Sequence, residues 1–254
     1  MTSPNLFRWT TIAHRDRALL GPVGDRACGE MIAAAGLAAA GEPADVLDIG
    51  CGKGEWLVRA LIGALEAQGV GIDPNPAFVS DAARRAETAG VAARLTLLTS
   101  VFEPLLVADR TFALAICTGA SHAFGTYEQA LRGLRPLVRE GGAAIVGTGF
   151  WQRTPAPEYL AAFGGSEDEM APLGDTAALA AACGWRVAAS HVSTREEWDG
   201  YEHGYAARVR EWVAAHPEDP DAPRFARRIE SWSGAYERWG RETMGYVTFV
   251  LEKR

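Results

Sequence analysis

The segment from Val46 to Leu57, which reads VLDIGCGKGEWL, constrains the fold of this 254-residue chain more than any other. An apolar run leads into glycines at alternate positions, Gly50, Gly52 and Gly54, and a helical stretch follows. Glycine at such positions allows a sharp turn and lets a ligand lie against the backbone. The segment therefore predicts a buried strand, a ligand-binding loop and the start of a helix.

Apolar runs and helical stretches alternate along much of the chain. Strands are predicted at Ala44–Ile49, Gly69–Ile72, Leu95–Leu98, Phe112–Cys117, Ala143–Gly147, Trp185–His191 and Tyr246–Leu251. Helices are predicted at Pro22–Ala40, Gly54–Ala67, Pro76–Ala89, Thr176–Cys183 and Tyr127–Arg139, the last one ended by Gly141 and Gly142. This alternation indicates βαβ units and a parallel sheet covered on both faces. We predict an α/β fold with a doubly wound, mostly parallel seven-stranded sheet whose last strand is antiparallel.

Composition narrows the partners that the chain can have. The net charge of -7 argues against a broad surface that grips nucleic acid, because phosphate binding needs clustered Lys and Arg. No apolar run reaches the roughly 18–20 residues that cross a bilayer, and the N-terminal residues lack a signal-peptide core. The four cysteines lie far apart without a CxxC pair, so no metal site or disulfide framework is expected. We expect a cytoplasmic protein with no nucleic-acid or membrane partner.

A carboxylate follows the second predicted strand, about 20 residues after the glycines. Asp73 at this place can accept hydrogen bonds from two ribose hydroxyls. A nicotinamide dinucleotide favours GxGxxG, because its pyrophosphate sits on the helix N-terminus, but the sixth position here is Glu55. S-adenosylmethionine has a zwitterionic amino-acid end and a cationic sulfonium, with which Asp48 and Glu55 are compatible. A nicotinamide-dependent oxidoreductase remains the alternative.

Together with Asp48 and Asp73, the glycine segment resembles motif I, [DE]xGxGxG, of class I (Rossmann-like) S-adenosylmethionine-dependent methyltransferases. The resemblance implies methyl transfer from S-adenosylmethionine by in-line displacement. By position, it implies a set of cofactor contacts around the strand ends: Asp48, Gly50, Cys51, Gly52, Gly54, Asp73, Pro74, Asn75, Ser100, Val101, Cys117 and Thr118. Ser100 departs from the family pattern, which often has an acidic residue there for the adenine amino group. A catalytically silent module that binds S-adenosylmethionine is a further alternative.

Three further runs, AHRDR, GTGFWQRTPAPEYL and EEWDGYEHGY, resemble a bacterial small-molecule-type branch of this family with a helical lid. We therefore expect one methyltransferase domain over residues 1–254. Its parts would be an N-terminal cap (1–43), a cofactor-binding core (44–149) and a helical lid insertion (193–244). A monomer or a homodimer is expected.

The acceptor is expected to be a small molecule, because neither a [DN]PP[YF] motif nor a Pro-Cys dipeptide occurs in the chain. Two histidines are candidate catalytic residues. His122 follows the fourth strand, close to the expected methyl group, and His14 lies in an N-terminal segment that often folds over the cofactor in this fold. Large aromatic side chains after the fifth strand and in the expected lid are candidates for contact with the substrate: Trp151, Tyr159, Trp198, Tyr201 and Tyr205.

Overall fold

The computed structural model describes residues 7–37, 44–108 and 110–253. Its strands are β1 (Val46–Ile49), β2 (Gly69–Asp73), β3 (Leu95–Thr99), β4 (Phe112–Thr118), β5 (Val138–Trp151), β6 (Trp185–Val192) and β7 (Met244–Lys253). Its helices are α1 (Arg8–Ala13), α2 (Asp25–Ala34), α3 (Glu55–Gly63), α4 (Pro76–Thr88), α5 (Tyr127–Leu134), α6 (Pro157–Phe163), α7 (Leu173–Ala182), α8 (Arg195–Ala215) and α9 (Ala222–Ala235).

All seven strands form one sheet in the order β3-β2-β1-β4-β5-β7-β6. Strands β1 to β5 pair in parallel, whereas β7 lies antiparallel between β5 and β6. This confirms the predicted α/β fold with an antiparallel last strand. The chain order reverses between β1 and β4, and open parallel sheets bind ligands in the crevice at such a switch point.

The sheet is buried on both faces because apolar side chains point alternately into two cores. Val46 of β1 packs with Leu57 and Leu61 of α3 on one face. Leu47 packs on the other face with Leu131 of α5. A strand that is buried on both faces needs a nearly continuous apolar run, which explains the sequence before the glycines.

The helix predicted over Tyr127–Arg139 is too long. Helix α5 ends at Leu134, and a 3-10 turn containing Pro136 follows, because proline lacks the N–H that would continue the helix. Strand β5 then begins at Val138 and contains Gly141 and Gly142, so these glycines do not precede the strand. The register between β4 and β5 shifts here, and the left-handed φ of 72° at Gly141 accommodates the extra residues.

Several helices also differ in detail from the prediction. Two short helices, α1 and α6, were not predicted. The helix predicted over Pro22–Ala40 begins later, as α2 at Asp25, and its last predicted residues lie outside the described ones. None of the helices in the described ranges is long and apolar enough to cross a membrane.

Helices α8 and α9 form the excursion between β6 and β7, and α1 packs against them. Trp9 of α1 lies 5.0 Å from Phe225 of α9, measured between ring centroids, and donates a hydrogen bond to the Tyr205 hydroxyl of α8. Arg8 pairs with Asp219 and Asp221 in the loop that joins the two helices. The N-terminal segment is therefore fixed to the excursion and lies beside the carboxyl edge of the sheet.

The excursion contains a buried carboxyl group. Glu202 of α8 is 4% exposed and accepts a hydrogen bond of 2.6 Å from Nε1 of Trp232 of α9. Burial raises the pKa of Glu202 to about 7 from its ordinary value of 4.5. The folded chain therefore retains this proton at pH values where the unfolded chain has lost it. The contribution of Glu202 to the free energy of unfolding falls as the pH rises from about 4.5 to about 7.

We expect Glu202→Gln to increase the free energy of unfolding at about pH 8 by on the order of 3 kcal/mol, and to have little effect near pH 4.5. The glutamine keeps an acceptor for Trp232 and carries no charge that must be buried. Urea unfolding at both pH values measures the difference. The low pKa of His14, about 4, destabilises the fold towards acid pH, but it does so equally in both proteins and cancels.

Glu196→Gln is the matched control, because Glu196 is exposed in the first turn of the same helix. This variant should not show the gain in stability at about pH 8 that is expected of Glu202→Gln. The interpretation of Glu202 is wrong if the Glu202→Gln protein shows the same pH dependence as the parent.

Candidate active site

A cavity of about 560 Å³ lies at the carboxyl ends of β1, β2, β3 and β4. The loops after these strands form its floor, and α8 and the N-terminal segment form its cover. The floor residues are Gly50, Gly52, Ile72, Asp73, Pro74, Asn75, Phe78, Ser100, Val101, Phe102, Thr118, Gly119, Ala120, His122 and Ala123. The cover residues are Phe7, Thr10, His14, Leu20 and Tyr201.

The glycine loop lies at the centre of the floor and is approached closely from two sides. Gly50 and Gly52 have φ values of 69° and 52°, which L side chains rarely adopt. A Cβ on Gly50 would lie 2.3 Å from the Cβ of Ala120, and one on Gly52 would lie 2.5 Å from Cδ1 of Leu20. Only glycine allows Ala120 and Leu20 to approach the loop this closely.

Asp73 joins the glycine loop to the end of β2. Its Oδ2 accepts a hydrogen bond of 2.9 Å from the backbone N–H of Gly52, and its Oδ1 accepts one of 2.8 Å from that of Asn75. Burial raises the pKa of Asp73, while these two N–H donors act in the opposite direction. An ionised carboxylate has about four acceptor sites, so each oxygen can accept a further hydrogen bond from a ligand.

Several predicted cofactor residues lie beneath this floor and do not line the cavity. Asp48 is 1% exposed, and its Oδ2 has no hydrogen-bond partner among the described residues. Burial, and to a smaller extent Asp73, raises the pKa of Asp48 well above its ordinary value. Cys117 is fully buried in the core, and Gly54 packs against Ala82 of α4. Cys51 lines a small neighbouring cavity of about 30 Å³ that shares Leu20, Gly50, Gly52 and Thr118 with the larger one.

Lys53 fixes the cover to the floor, a role that was not predicted. Its Nζ donates hydrogen bonds to the carbonyl oxygens of His14 (2.8 Å) and Arg15 (2.6 Å) and pairs with Asp81 at 3.0 Å. The side chain of Asn75 adds a second link, through a 2.9 Å hydrogen bond to Oγ1 of Thr11. The sequence signal for this role is the position of Lys53 between two loop glycines. Its hydrogen-bond partners could not be identified in the same way, because they are 38 and 39 residues away.

His14 and Tyr201 form a hydrogen-bonded pair in the cover. Nδ1 of His14 lies 2.9 Å from the carbonyl oxygen of Thr10, which can only accept, so the network assigns the proton to Nδ1. Nε2 then accepts a hydrogen bond of 3.1 Å from the Tyr201 hydroxyl. Burial, with smaller contributions from Arg17, Lys53 and Arg208, lowers the pKa of His14 to about 4. His14 is therefore neutral at neutral pH.

The second predicted catalytic residue lies at the rim. His122 belongs to a 3-10 turn after β4, lines the cavity and is exposed. When protonated, it lowers the pKa of Asp73. Ser100 and Val101 lie at the end of β3 on the same floor, where the Ser100 hydroxyl donates a hydrogen bond of 2.9 Å to the carbonyl oxygen of Val101.

Of the five predicted substrate residues, the structure places only Tyr201 in the cavity wall. Trp198 and Tyr205 pack behind it, with ring centroids 6.3 and 6.1 Å from that of Tyr201. Trp151 and Tyr159 belong to a separate apolar cluster between the end of β5 and α6. Their buried side chains do not line the 560 Å³ cavity.

The carboxylate of Glu55 was expected to disfavour a pyrophosphate at the glycine loop. The Glu55 carboxylate does not stand free at the ligand-binding loop. It pairs with Arg59 and with Arg85, at 2.6 and 2.7 Å. Its charge is compensated, so Glu55 alone does not exclude a phosphate.

Residues that sequence reasoning missed also line the cavity: Phe7, Thr10, Leu20, Phe78 and Phe102. Phe78 packs edge-on against His14, with ring centroids 6.0 Å apart. It occupies the first turn of α4, directly after the Asp73 loop, so proximity to that loop was the available signal. Phe7, Thr10 and Leu20 belong to the N-terminal segment and reach the cavity only through tertiary packing.

Comparison with known proteins agrees with this geometry. Residues 46–142 match a family model described as a methyltransferase domain. The chain is 28% identical over 211 residues to the uncharacterized protein YjhP of Escherichia coli (strain K12), and the match covers 82% of this chain and 84% of the relative.

Two similar solved structures are S-adenosylmethionine-dependent methyltransferases in complex with S-adenosyl-L-homocysteine. The protein from Thiobacillus denitrificans is 27% identical with a TM-score of 0.87, and the match covers 100% of both chains. The protein from Geobacter sulfurreducens is 28% identical with a TM-score of 0.84, and the match covers 97% of this chain and 98% of that chain. Together with the glycine loop, Asp73 and the sheet order, these matches show a methyltransferase domain with the class I, Rossmann-like fold and support S-adenosylmethionine as its cofactor.

Proposed function

We propose that this enzyme transfers the methyl group of S-adenosylmethionine to a small-molecule acceptor inside the covered cavity. The observation that carries the proposal is a single space of about 560 Å³ that includes the glycine loop, Asp73, both candidate histidines and Tyr201. This volume lies within the range that small-molecule sites occupy. A methyl-transfer assay with labelled donor and a panel of metabolite acceptors tests the proposal directly.

The residues of the floor fit this methyl donor. Asp73 keeps acceptor sites for two ribose hydroxyls, and glycine at positions 50 and 52 allows Ala120 and Leu20, which both line the cavity, to lie close to the loop. Asp48 lies buried at the end of β1, directly before the loop, and its Oδ2 has no hydrogen-bond partner among the described residues. Ser100 and Val101 would lie against the adenine, and Pro74 and Asn75 against the adenosine.

S-adenosylmethionine supplies an already activated methyl group, so the protein chiefly has to align the acceptor with it and exclude water. The cover would exclude water, since the N-terminal segment is fixed to the floor by Lys53 and to α8 by the His14–Tyr201 hydrogen bond. We infer that the described part of the N-terminal segment 1–43, residues 7–37, acts as a cap and residues 193–244 as a lid on the cofactor-binding core, residues 44–149.

His14 and Tyr201 are suited to orient the acceptor. Because the Tyr201 hydroxyl donates its proton to Nε2 of His14, its oxygen is left to accept a hydrogen bond from an N–H or O–H group in the cavity. The pKa of His14, about 4, makes it a hydrogen-bond acceptor that bears no charge beside a sulfonium. His122, at the rim, is the second candidate for receiving a proton from the acceptor.

We expect Asp73→Ala to weaken binding of S-adenosyl-L-homocysteine by about 100-fold or more, because two charge-assisted hydrogen bonds to the ribose are lost. Isothermal titration calorimetry measures the change. Asp45→Ala serves as the matched control, since Asp45 precedes β1 at the opposite end of the sheet and pairs with Arg110. Equal affinity in the Asp73→Ala and Asp45→Ala proteins would refute the ribose role of Asp73.

We expect Lys53→Met to weaken the binding of S-adenosyl-L-homocysteine by about tenfold. The variant loses two hydrogen bonds and an ion pair, which frees the cap from the floor. Amide hydrogen exchange in residues 8–17 should become faster in this variant. Lys253→Met is the control: Lys253 is the chain's other lysine and donates to the carbonyl oxygen of Val138, away from the cavity. If both variants bind the ligand as the parent does, the cap does not depend on Lys53.

A further inference from the structure

The side chain of Tyr246 in β7 reaches across the sheet towards the carboxyl end of β4. Tyr246 lies opposite Gly149 in the pairing of β7 with β5. A Cβ on Gly147 of β5 would overlap the Tyr246 hydroxyl oxygen and lie 2.8 Å from Cζ. A Cβ on Gly119, directly after β4, would lie 3.5 Å from the same oxygen. Glycine in the interior of β5 therefore makes room for the hydroxyl end of this tyrosine.

The Tyr246 hydroxyl has no hydrogen-bond partner among the described residues, although the side chain is only 8% exposed. A buried hydroxyl without a partner costs free energy and calls for an explanation. Tyr127 also has an unpartnered hydroxyl, but that hydroxyl has no accessible surface. Tyr246 instead lines the small cavity of about 30 Å³ beside the glycine loop. Its hydroxyl is the part of the side chain that extends furthest towards β4, and so the part that faces this cavity.

The small cavity adjoins the 560 Å³ cavity. Leu20, Gly50, Gly52 and Thr118 line both of them. A ligand in the large cavity can therefore extend over the glycine loop towards Tyr246. The volume of about 30 Å³ exceeds the roughly 10–15 Å³ that one water molecule needs, so a small polar group of a ligand can enter.

The order of the strands gives the direction in which the methyl donor extends. Ser100, which would lie against the adenine, follows β3, and Asp73, which would hold the ribose, ends β2. The sheet continues as β1-β4-β5, so the part of the donor beyond the ribose continues over the ends of β1 and β4. The Tyr246 hydroxyl lies two to three strands from β2 along this edge, or about 10–14 Å at the usual strand spacing. The amino-acid end of the donor therefore points to the small cavity.

We propose that the hydroxyl of Tyr246 binds the amino-acid end of S-adenosylmethionine in the small cavity. The inference rests on the proposed function for the orientation of the methyl donor, with its ribose at Asp73. Glu55, a charged residue of this cavity, is already paired with Arg59 and Arg85, which leaves neutral groups to bind the zwitterion.

The chemistry of a phenol suits this role. Burial raises the pKa of Tyr246 above its ordinary value, so the phenol keeps its proton at neutral pH. A protonated phenol can donate a hydrogen bond to the carboxylate of the donor or accept one from its ammonium group. Tyr246 is thus a binding residue that fixes the end of the donor next to the reacting sulfonium.

Tyr246→Phe removes the hydroxyl and keeps the ring. We expect this variant to bind S-adenosyl-L-homocysteine about tenfold more weakly, because one hydrogen bond to a charged group is lost. Binding of 5′-methylthioadenosine, which lacks the amino-acid end, should stay unchanged. Isothermal titration calorimetry measures both affinities, and intact binding of 5′-methylthioadenosine shows that the variant is folded.

Tyr127→Phe is the matched control, because it removes a hydroxyl that is also unpartnered but lines neither cavity. This variant should bind both ligands as the parent does. Both variants should keep or raise the Tm of the ligand-free protein, because neither hydroxyl has a partner to lose within the described residues. A Tyr246 hydroxyl that served only the fold would lower the Tm when removed.

The proposal is overturned if Tyr246→Phe binds S-adenosyl-L-homocysteine as tightly as the parent does, since the hydroxyl then holds at most a water molecule. It is also overturned if both ligands weaken equally, or if Tyr127→Phe shows the same selective loss. Failure of the parent to bind S-adenosyl-L-homocysteine would overturn this proposal and the proposed function together. If the selective loss is found but no metabolite is methylated, the proposed function is wrong and the role of Tyr246 stands.

Discussion

The hydrogen bonds from Gly52 and Asn75 to the Asp73 carboxylate hold the site together, because they join the loop after β1 to the loop after β2. Gly52 donates from a left-handed backbone conformation, and the next residue, Lys53, donates a hydrogen bond to the N-terminal segment. The donor-binding floor and its cover are thus coupled through one short glycine loop. The same loop therefore contacts both sides of the cavity.

Much of the fold follows from local sequence patterns. Apolar runs that are buried on both faces specify parallel strands, and the structure confirms the sheet that they predict. The glycine loop and Asp73 indicate that the ligand binds at the carboxyl edge of this sheet. Features that depend on distant partners were not predictable in the same way. Helix α1 is short and is held by its contacts with α8 and α9, and the extra residues near Gly141 depend on pairing between β4 and β5.

The site residues also divide into those that local sequence places and those that depend on distant contacts. Asp73, Gly50 and Gly52 lie in the cavity because their loops place them there. Cys117 does not line it although the adjacent Thr118 does, because side chains alternate between the two sides of a strand and this parity is not evident from position along the chain. Trp151 and Tyr159 pack into a separate cluster because β5 extends beyond its predicted end and α6 follows it.

Titration calorimetry of the parent protein with S-adenosyl-L-homocysteine and with NADH tests the central claim most directly, since both ligands place a ribose on a carboxylate after the second strand. We predict saturable binding of S-adenosyl-L-homocysteine with a dissociation constant on the order of micromolar (about -8 kcal/mol) and no saturable binding of NADH. Saturable binding of NADH without binding of S-adenosyl-L-homocysteine would contradict the account.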